Sequence, residues 1–98
     1  MSLPLVVAPE AEADLRRAYR SLEEIRPGLG ARFSAAVAEA FQRIEAAPEI
    51  YGRVWEDVRA VRVKKLRYLA YYVIFDDRVE VIAVLHGSRD PAVWQSRH

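Results

Sequence analysis

The chain of 98 residues reads as one α+β domain, residues 1–98, in the order β-α-α-β-β-β, with a helical hairpin packed on a small, mainly antiparallel sheet. Three features point there. Two stretches with apolar residues three and four apart flank Pro27-Gly28. After Pro48 the period changes from about 3.6 to 2. A β-rich run over residues 68–75 and an alternating run over residues 79–86 are joined by the short turn Asp76-Asp77-Arg78.

Each element follows from its residues. Residues 3–8 are short and apolar with Pro4 inside, which suits an edge strand or a strand's start. Pro9 fits the first turn of a helix, where its missing N–H has no partner to lose. Glu10, Glu12 and Asp14 then place negative charge at the positive end of the helix dipole. Ala11, Leu15, Ala18, Tyr19, Leu22 and Ile25 form one apolar face, which must stop before Pro27-Gly28. Residues 29–47 carry a second stripe, Leu29, Phe33, Ala36, Val37, Ala40, Phe41 and Ile44, rich in alanine and closed by Pro48. The connection between the stripes is short enough to imply antiparallel helices.

Residues 49–57 read as irregular, and residues 58–63 as a strand with basic residues interleaved. Residues 68–75 are apolar on both faces, as in a central strand. The return strand, residues 79–86, puts Val79, Val81, Ala83 and Leu85 on one face and Glu80, Ile82, Val84 and His86 on the other. Asp90 and Pro91 are the residue types of an N-cap and a first helical position, so a short C-terminal turn is expected.

Hydrophobic residues make up 52% of the chain and charged residues 30%, which argues against disorder. There is no cysteine, so disulfides and thiolate zinc sites are excluded, and nothing in the sequence calls for a metal or cofactor. No apolar run approaches the ~20 residues that span a bilayer. The first nine residues lack the charged and long apolar parts of a signal peptide. The expectation is a cytoplasmic protein that does not engage membranes.

Net charge is +1, but residues 1–49 carry −2 and residues 50–98 carry +3. Much of the basic excess gathers at Arg59, Arg62, Lys64, Lys65 and Arg67, with no acid between them. Such a patch has three readings: a surface for phosphates, a receptor for an acidic protein segment, or a solvated edge that charge keeps from aggregating.

Residues 8–15, Ala-Pro-Glu-Ala-Glu-Ala-Asp-Leu, resemble the helix opening of RelE/ParE superfamily toxins of type II toxin–antitoxin systems, where a Pro-x-Ala-x-x-Asp-Leu run follows the first strand. Phe33 through Ile44, then Pro48 and Gly52-Arg53, are similar to that family's second helix and its exit. Arg62 followed by the tyrosine-rich run looks like its Arg-containing strand and central strand. Residues 84–94 resemble the Val-x-His-x-x-Arg-Asp-Pro-x-x-Trp ending of the ParE-like, plasmid-stabilisation branch. The resemblance spans residues 3–94. One departure is Ala8, where the family often has serine, a better N-cap.

The resemblance implies a toxin that inhibits growth, is neutralised by a cognate antitoxin, and forms a hetero-oligomer with it. Characterised ParE-like members inhibit DNA gyrase rather than act as enzymes. RelE-like members cleave mRNA on the ribosome with a lysine- and arginine-rich sheet surface. Both targets stay open, as does a toxin decayed into an inactive binder. For a ribonuclease the catalytic candidates are Arg62, Lys64, Arg67, His86 and Arg89, although Trp94 stands in the region where that branch commonly has a tyrosine. For a binder, Arg59, Arg62, Lys64, Lys65, Arg67, Arg89 and Trp94 would meet an acidic partner or the target.

The residue chemistry fits either role. Imidazole moves protons near neutral pH and guanidinium grips phosphate bidentately, as RNA cleavage by a 2′-hydroxyl requires. Equally, Arg89 can tie the C-terminal turn to a carboxylate, and His86 can be a hydrogen-bonded strand end. Tyr68, Tyr71, Tyr72, Trp55 and Trp94 can stack on bases, but aromatic side chains in strands favour the core.

Overall fold

In the computed structural model, which describes residues 2–98, the chain runs β1 (Leu5–Val7), α1 (Pro9–Ile25), α2 (Leu29–Ala46), β2 (Arg53–Trp55), β3 (Val58–Val63), β4 (Tyr68–Ile74), β5 (Val79–His86) and α3 (Pro91–Gln95). The strands form one sheet in the order β1-β5-β4-β3-β2. β1 runs parallel to β5, and the other pairings are antiparallel. The tyrosine-rich β4 is central, which explains why both its faces are apolar.

The helical hairpin is locked by contacts between its arms. α1 opens at Pro9 with no side-chain cap; Ala8 instead extends the sheet ladder, its N–H reaching Val81 O at 2.9 Å. The N-terminus of α2 is capped from α1. Glu23 Oε1 accepts the N–H groups of Gly28 at 2.9 Å and Gly30 at 2.8 Å, satisfying donors that a helix start leaves unpaired. Gly28 makes the reversal at φ +92°, where a side chain would be strained. Gly30 permits close approach of the helices: a Cβ there would lie 2.8 Å from Glu23 Cγ and from Tyr19 Cε2.

The hairpin covers one face of the sheet. Ala11, Ala18 and Leu22 of α1 and Phe33, Val37, Ala40 and Ile44 of α2 meet Val61, Val63, Ala70, Tyr72, Val79, Val81 and Val84. Two residues expected on the apolar face of α1 are not core: Tyr19 is 42% and Ile25 74% exposed. Tyr19 covers Gly30 of α2, and Ile25 ends the helix beyond Leu22, the last α1 residue in the core.

The other face has its own core. Val58, Tyr71, Val73, Ile82, Ala83 and Leu85 are closed over by Trp94 of α3. The Tyr71 ring stacks on Trp94 at 4.5 Å, and Trp55 meets it edge-on at 6.2 Å. Trp94, expected on a contact surface, is therefore 5% exposed and structural, because this apolar face needs a cover. Asp90 caps α3 as expected, accepting Ala92 N–H at 3.0 Å, with Pro91 in the first turn.

Two departures concern the strands. Residues 53–55, expected to be irregular, form an edge strand: Arg53 pairs with Arg59 and Trp55 with Val58, around a turn in which Glu56 adopts φ +50°. Three residues are too few to display a period, and no Asn-Gly or Asp-Gly marks that turn. In β5, Tyr71 faces Ala83 but Tyr72 faces Val81, so Ile82 is an extra residue, a β-bulge. The alternation expected for β5 breaks there. Val79, Val81 and Val84 lie on the helix side, whereas Ile82, Ala83 and Leu85 lie on the other.

Tyr72 is fully buried, and its hydroxyl donates to Pro48 O at 2.6 Å, fastening the α2–β2 connection to the sheet. Burial, opposed by the nearby Arg59 guanidinium and helped by Tyr51, pushes its phenol from the ordinary 10.0 up to about 12. The folded value lies above the unfolded one. The stabilisation is therefore complete below about pH 10 and is lost as pH rises to about 12. Tyr72→Phe is expected to cost about 1 kcal/mol near neutral pH. That cost should shrink and then reverse sign across pH 10.0 to about 12, because a shift of that size outweighs about 1 kcal/mol, and level off above it. Urea unfolding of both proteins across this range checks it, and a cost that stays constant contradicts it.

Candidate functional site

The β3–β4 turn and the loop after β5 meet at one end of the sheet. In that turn Lys65 adopts φ +69° and Arg67 φ +58°, although neither is glycine. Left-handed backbone costs a residue with a side chain roughly 1 kcal/mol, so something must hold it. Arg67 O accepts the Gly87 N–H at 2.8 Å. The approach is close, since a Cβ on Gly87 would stand 3.4 Å from that oxygen. This contact gathers Arg62, Arg67, Tyr68, Leu69 and Gly87 around a shallow depression. An adjoining cleft between α1 and β5 is lined by Arg17, Ser21, Tyr68, His86 and Arg89, with Asp14 behind them.

The basic patch divides. Arg59 is an internal clamp, its Nη1 donating to Glu49 O at 3.0 Å and Tyr51 O at 2.7 Å. Arg62 lies between Val61 and Val63, which face the helices, so its side chain is on the opposite face. Lys64 turns to the helix side, where its Nζ is 3.7 Å from Glu39 Oε2. With Lys65 and Arg32 it rims a groove of about 360 Å³ floored by Ala35, Ala36 and Leu66. Arg62 and Arg67 share the depression beside Gly87, and Arg89 lines the adjoining cleft.

His86 is a hydrogen-bonded strand end. Its Nδ1 accepts the Ser88 N–H at 3.1 Å and lies 2.8 Å from Ser88 Oγ. With Nδ1 accepting, the neutral ring carries its proton on Nε2 and offers a donor there. The ring meets Tyr68 edge-on at 5.5 Å. Burial raises the Tyr68 phenol above its ordinary value. Arg89 makes no ion pair among the described residues.

The residue that ties the C-terminal segment to a carboxylate is Arg97, and the carboxylate is Asp14. Asp14 is 2% exposed. Its Oδ2 accepts Val84 N–H at 3.0 Å and Arg97 Nη1 at 2.6 Å. Its Oδ1 accepts Arg17 Nη2 at 2.7 Å and Arg97 Nη2 at 3.2 Å. Arg97 Nη1 also donates to Ile82 O at 3.0 Å. The dipole reading of Asp14 misses this role. The signal available was its position between Ala11 and Ala18, which share the buried stripe of α1.

This end of the sheet is suited to holding anions: its free polar groups are guanidinium, hydroxyl and imidazole N–H. Among the described residues no group of three His, Cys, Asp or Glu side chains could hold a metal ion. No helix there is long and apolar enough to cross a membrane.

The family model described as the ParE toxin of the type II toxin–antitoxin system parDE matches residues 5–91. A solved structure described as the chromosomal ParDE TA system from P. aeruginosa is similar in fold, with a TM-score of 0.76 at 16% identity, covering 86% of this chain and 95% of that one. No curated protein matches.

If the left-handed turn stores strain, glycine relieves it. Arg67→Gly should be more stable than Arg67→Ala by about 1 kcal/mol in urea unfolding, since both lose the same side chain. Equal stabilities contradict this.

Proposed function

The chain belongs to the ParE toxin family of type II toxin–antitoxin systems, and on that premise we propose that it works by binding, with DNA gyrase as its target and a cognate antitoxin as its neutraliser. The observation that carries the reading is the family match over residues 5–91. The site geometry supports binding over RNA cleavage. Arg62 and Lys64, both needed by a ribonuclease site, lie on opposite faces, and His86 Nδ1 is taken up by the Ser88 N–H, which leaves Nε2–H as a donor rather than a base. Trp94, in the region where the ribonuclease branch commonly has a tyrosine, is enclosed in the core.

The solved relative is described as a ParDE system, which supports an antitoxin partner for this chain. That partner would be a short protein whose segment folds onto the toxin as a helix or an added strand, giving a hetero-oligomer. The groove between α2 and the β3–β4 turn suits such a segment, with an apolar floor of Ala35, Ala36 and Leu66 and a rim on which Arg32, Lys64 and Lys65 outnumber the one acid, Glu39. The setting is the cytoplasm.

Induction of the chain in cells carrying a reporter plasmid tests the target. The plasmid is expected to lose negative supercoiling while mRNA stays intact, and co-expression with a cognate antitoxin should restore growth. Fragmented mRNA, with protection by Arg62→Ala or Arg89→Ala, contradicts the reading in favour of a ribonuclease. Unimpaired growth contradicts toxicity itself.

A further inference from the structure

The cleft between α1 and the end of β5 has a volume of about 200 Å³, and over a base of Ala18, Val84 and Leu85 it gathers five donor-bearing side chains, Arg17, Ser21, Tyr68, His86 and Arg89. The Arg89 guanidinium, the Tyr68 and Ser21 hydroxyls and His86 Nε2 have no partner among the described residues. The one acid present, Asp14, has both oxygens filled by Val84 N–H, Arg17 and Arg97. Two arginines on one carboxylate leave positive charge over, and Arg89 adds to it. The site thus lacks an acceptor-bearing, negatively charged group of small size.

We propose that this cleft receives one carboxylate of the antitoxin, an Asp or Glu side chain of its docking segment, with Arg89 as the principal partner and His86 Nε2–H and the Tyr68 hydroxyl beside it. The proposal deepens the antitoxin reading given above and rests on it. A guanidinium fork matches a carboxylate in geometry as well as charge. The cleft favours a carboxylate over an RNA phosphate for two reasons. The Tyr68 ring is held between Phe33 at 5.0 Å and His86 at 5.5 Å, so it is not a free platform for a base. A volume of about 200 Å³ suits a side-chain head better than a nucleotide.

The isolated full chain provides the first readout. Side-chain NMR signals of Arg89 Nε–H and His86 are followed while glutarate, inorganic phosphate, the dinucleotide ApU or chloride is added at matched ionic strength. Glutarate is expected to shift both signals saturably, and Arg89→Ala should weaken it by about tenfold. Arg53→Ala, at the far edge strand, should leave it unchanged. Shifts no different from those of chloride overturn the pocket, and preference for ApU overturns its assignment to a carboxylate. The second readout is affinity for the antitoxin, which Arg89→Ala should lower by a similar factor; unchanged affinity overturns the docking role. Because glutarate is read without any partner, failure to find an antitoxin complex refutes the pairing while leaving the pocket's own result legible.

Discussion

Asp14 is the one charged residue that the described structure buries, and its four hydrogen bonds decide how the exposed part of β5 ends. β1 accompanies β5 only from Val79 to Val81. Beyond that point β5 would present an open edge, and the bulge at Ile82 adds backbone groups out of register. Asp14 takes the Val84 N–H, and Arg97 takes the Ile82 carbonyl while bonding Asp14 in turn. Strand β5, helix α1 and the C-terminal segment are thus joined at one carboxylate. A buried carboxylate is tolerable only when it is paired and hydrogen-bonded in this way.

The same arrangement positions the candidate site. The β-bulge changes which side chains of β5 face the helices, so that Val84 enters the helix-side core. Gly87 then meets Arg67 O across the β3–β4 turn, and His86 turns back on Ser88. Two connections without regular structure are held together, and between them they carry Arg67 and Arg89, beside Arg62 of β3. The opposite face is closed by Trp94, so α3 is both a cover for the second core and the route by which Arg97 reaches Asp14.

Much of the fold is legible in the sequence because the relevant signals are local. The stripes on both helices, the Pro9 start, the Asp90-Pro91 cap and the limits of β3 and β5 all arise from neighbours within a few residues. What the sequence hides is non-local. The strand β2 exists because Arg53 and Trp55 pair with β3, not because of its own three residues. The bulge at Ile82 cannot be read from an apolar run that satisfies either phase. Glu23 caps a helix other than its own. Of the site, the basic residues are visible in composition, but their division between two faces follows from strand register. Trp94 is the clearest reversal: the resemblance places it among the residues that would meet a partner, whereas it lies in the core because Tyr71, Ile82 and Leu85 need a cover.

The free edge of β5 is thus held by a charged latch between the first helix and the C-terminal segment. A double-mutant cycle on Asp14→Ala and Arg97→Ala, read by urea unfolding, measures that latch most directly. Each single change should be destabilising, and together they should cost less than their sum by about 1–3 kcal/mol, the coupling expected of a partly buried pair sharing one network. Additive costs would mean that the two side chains do not depend on each other, and the latch would not be what holds this edge.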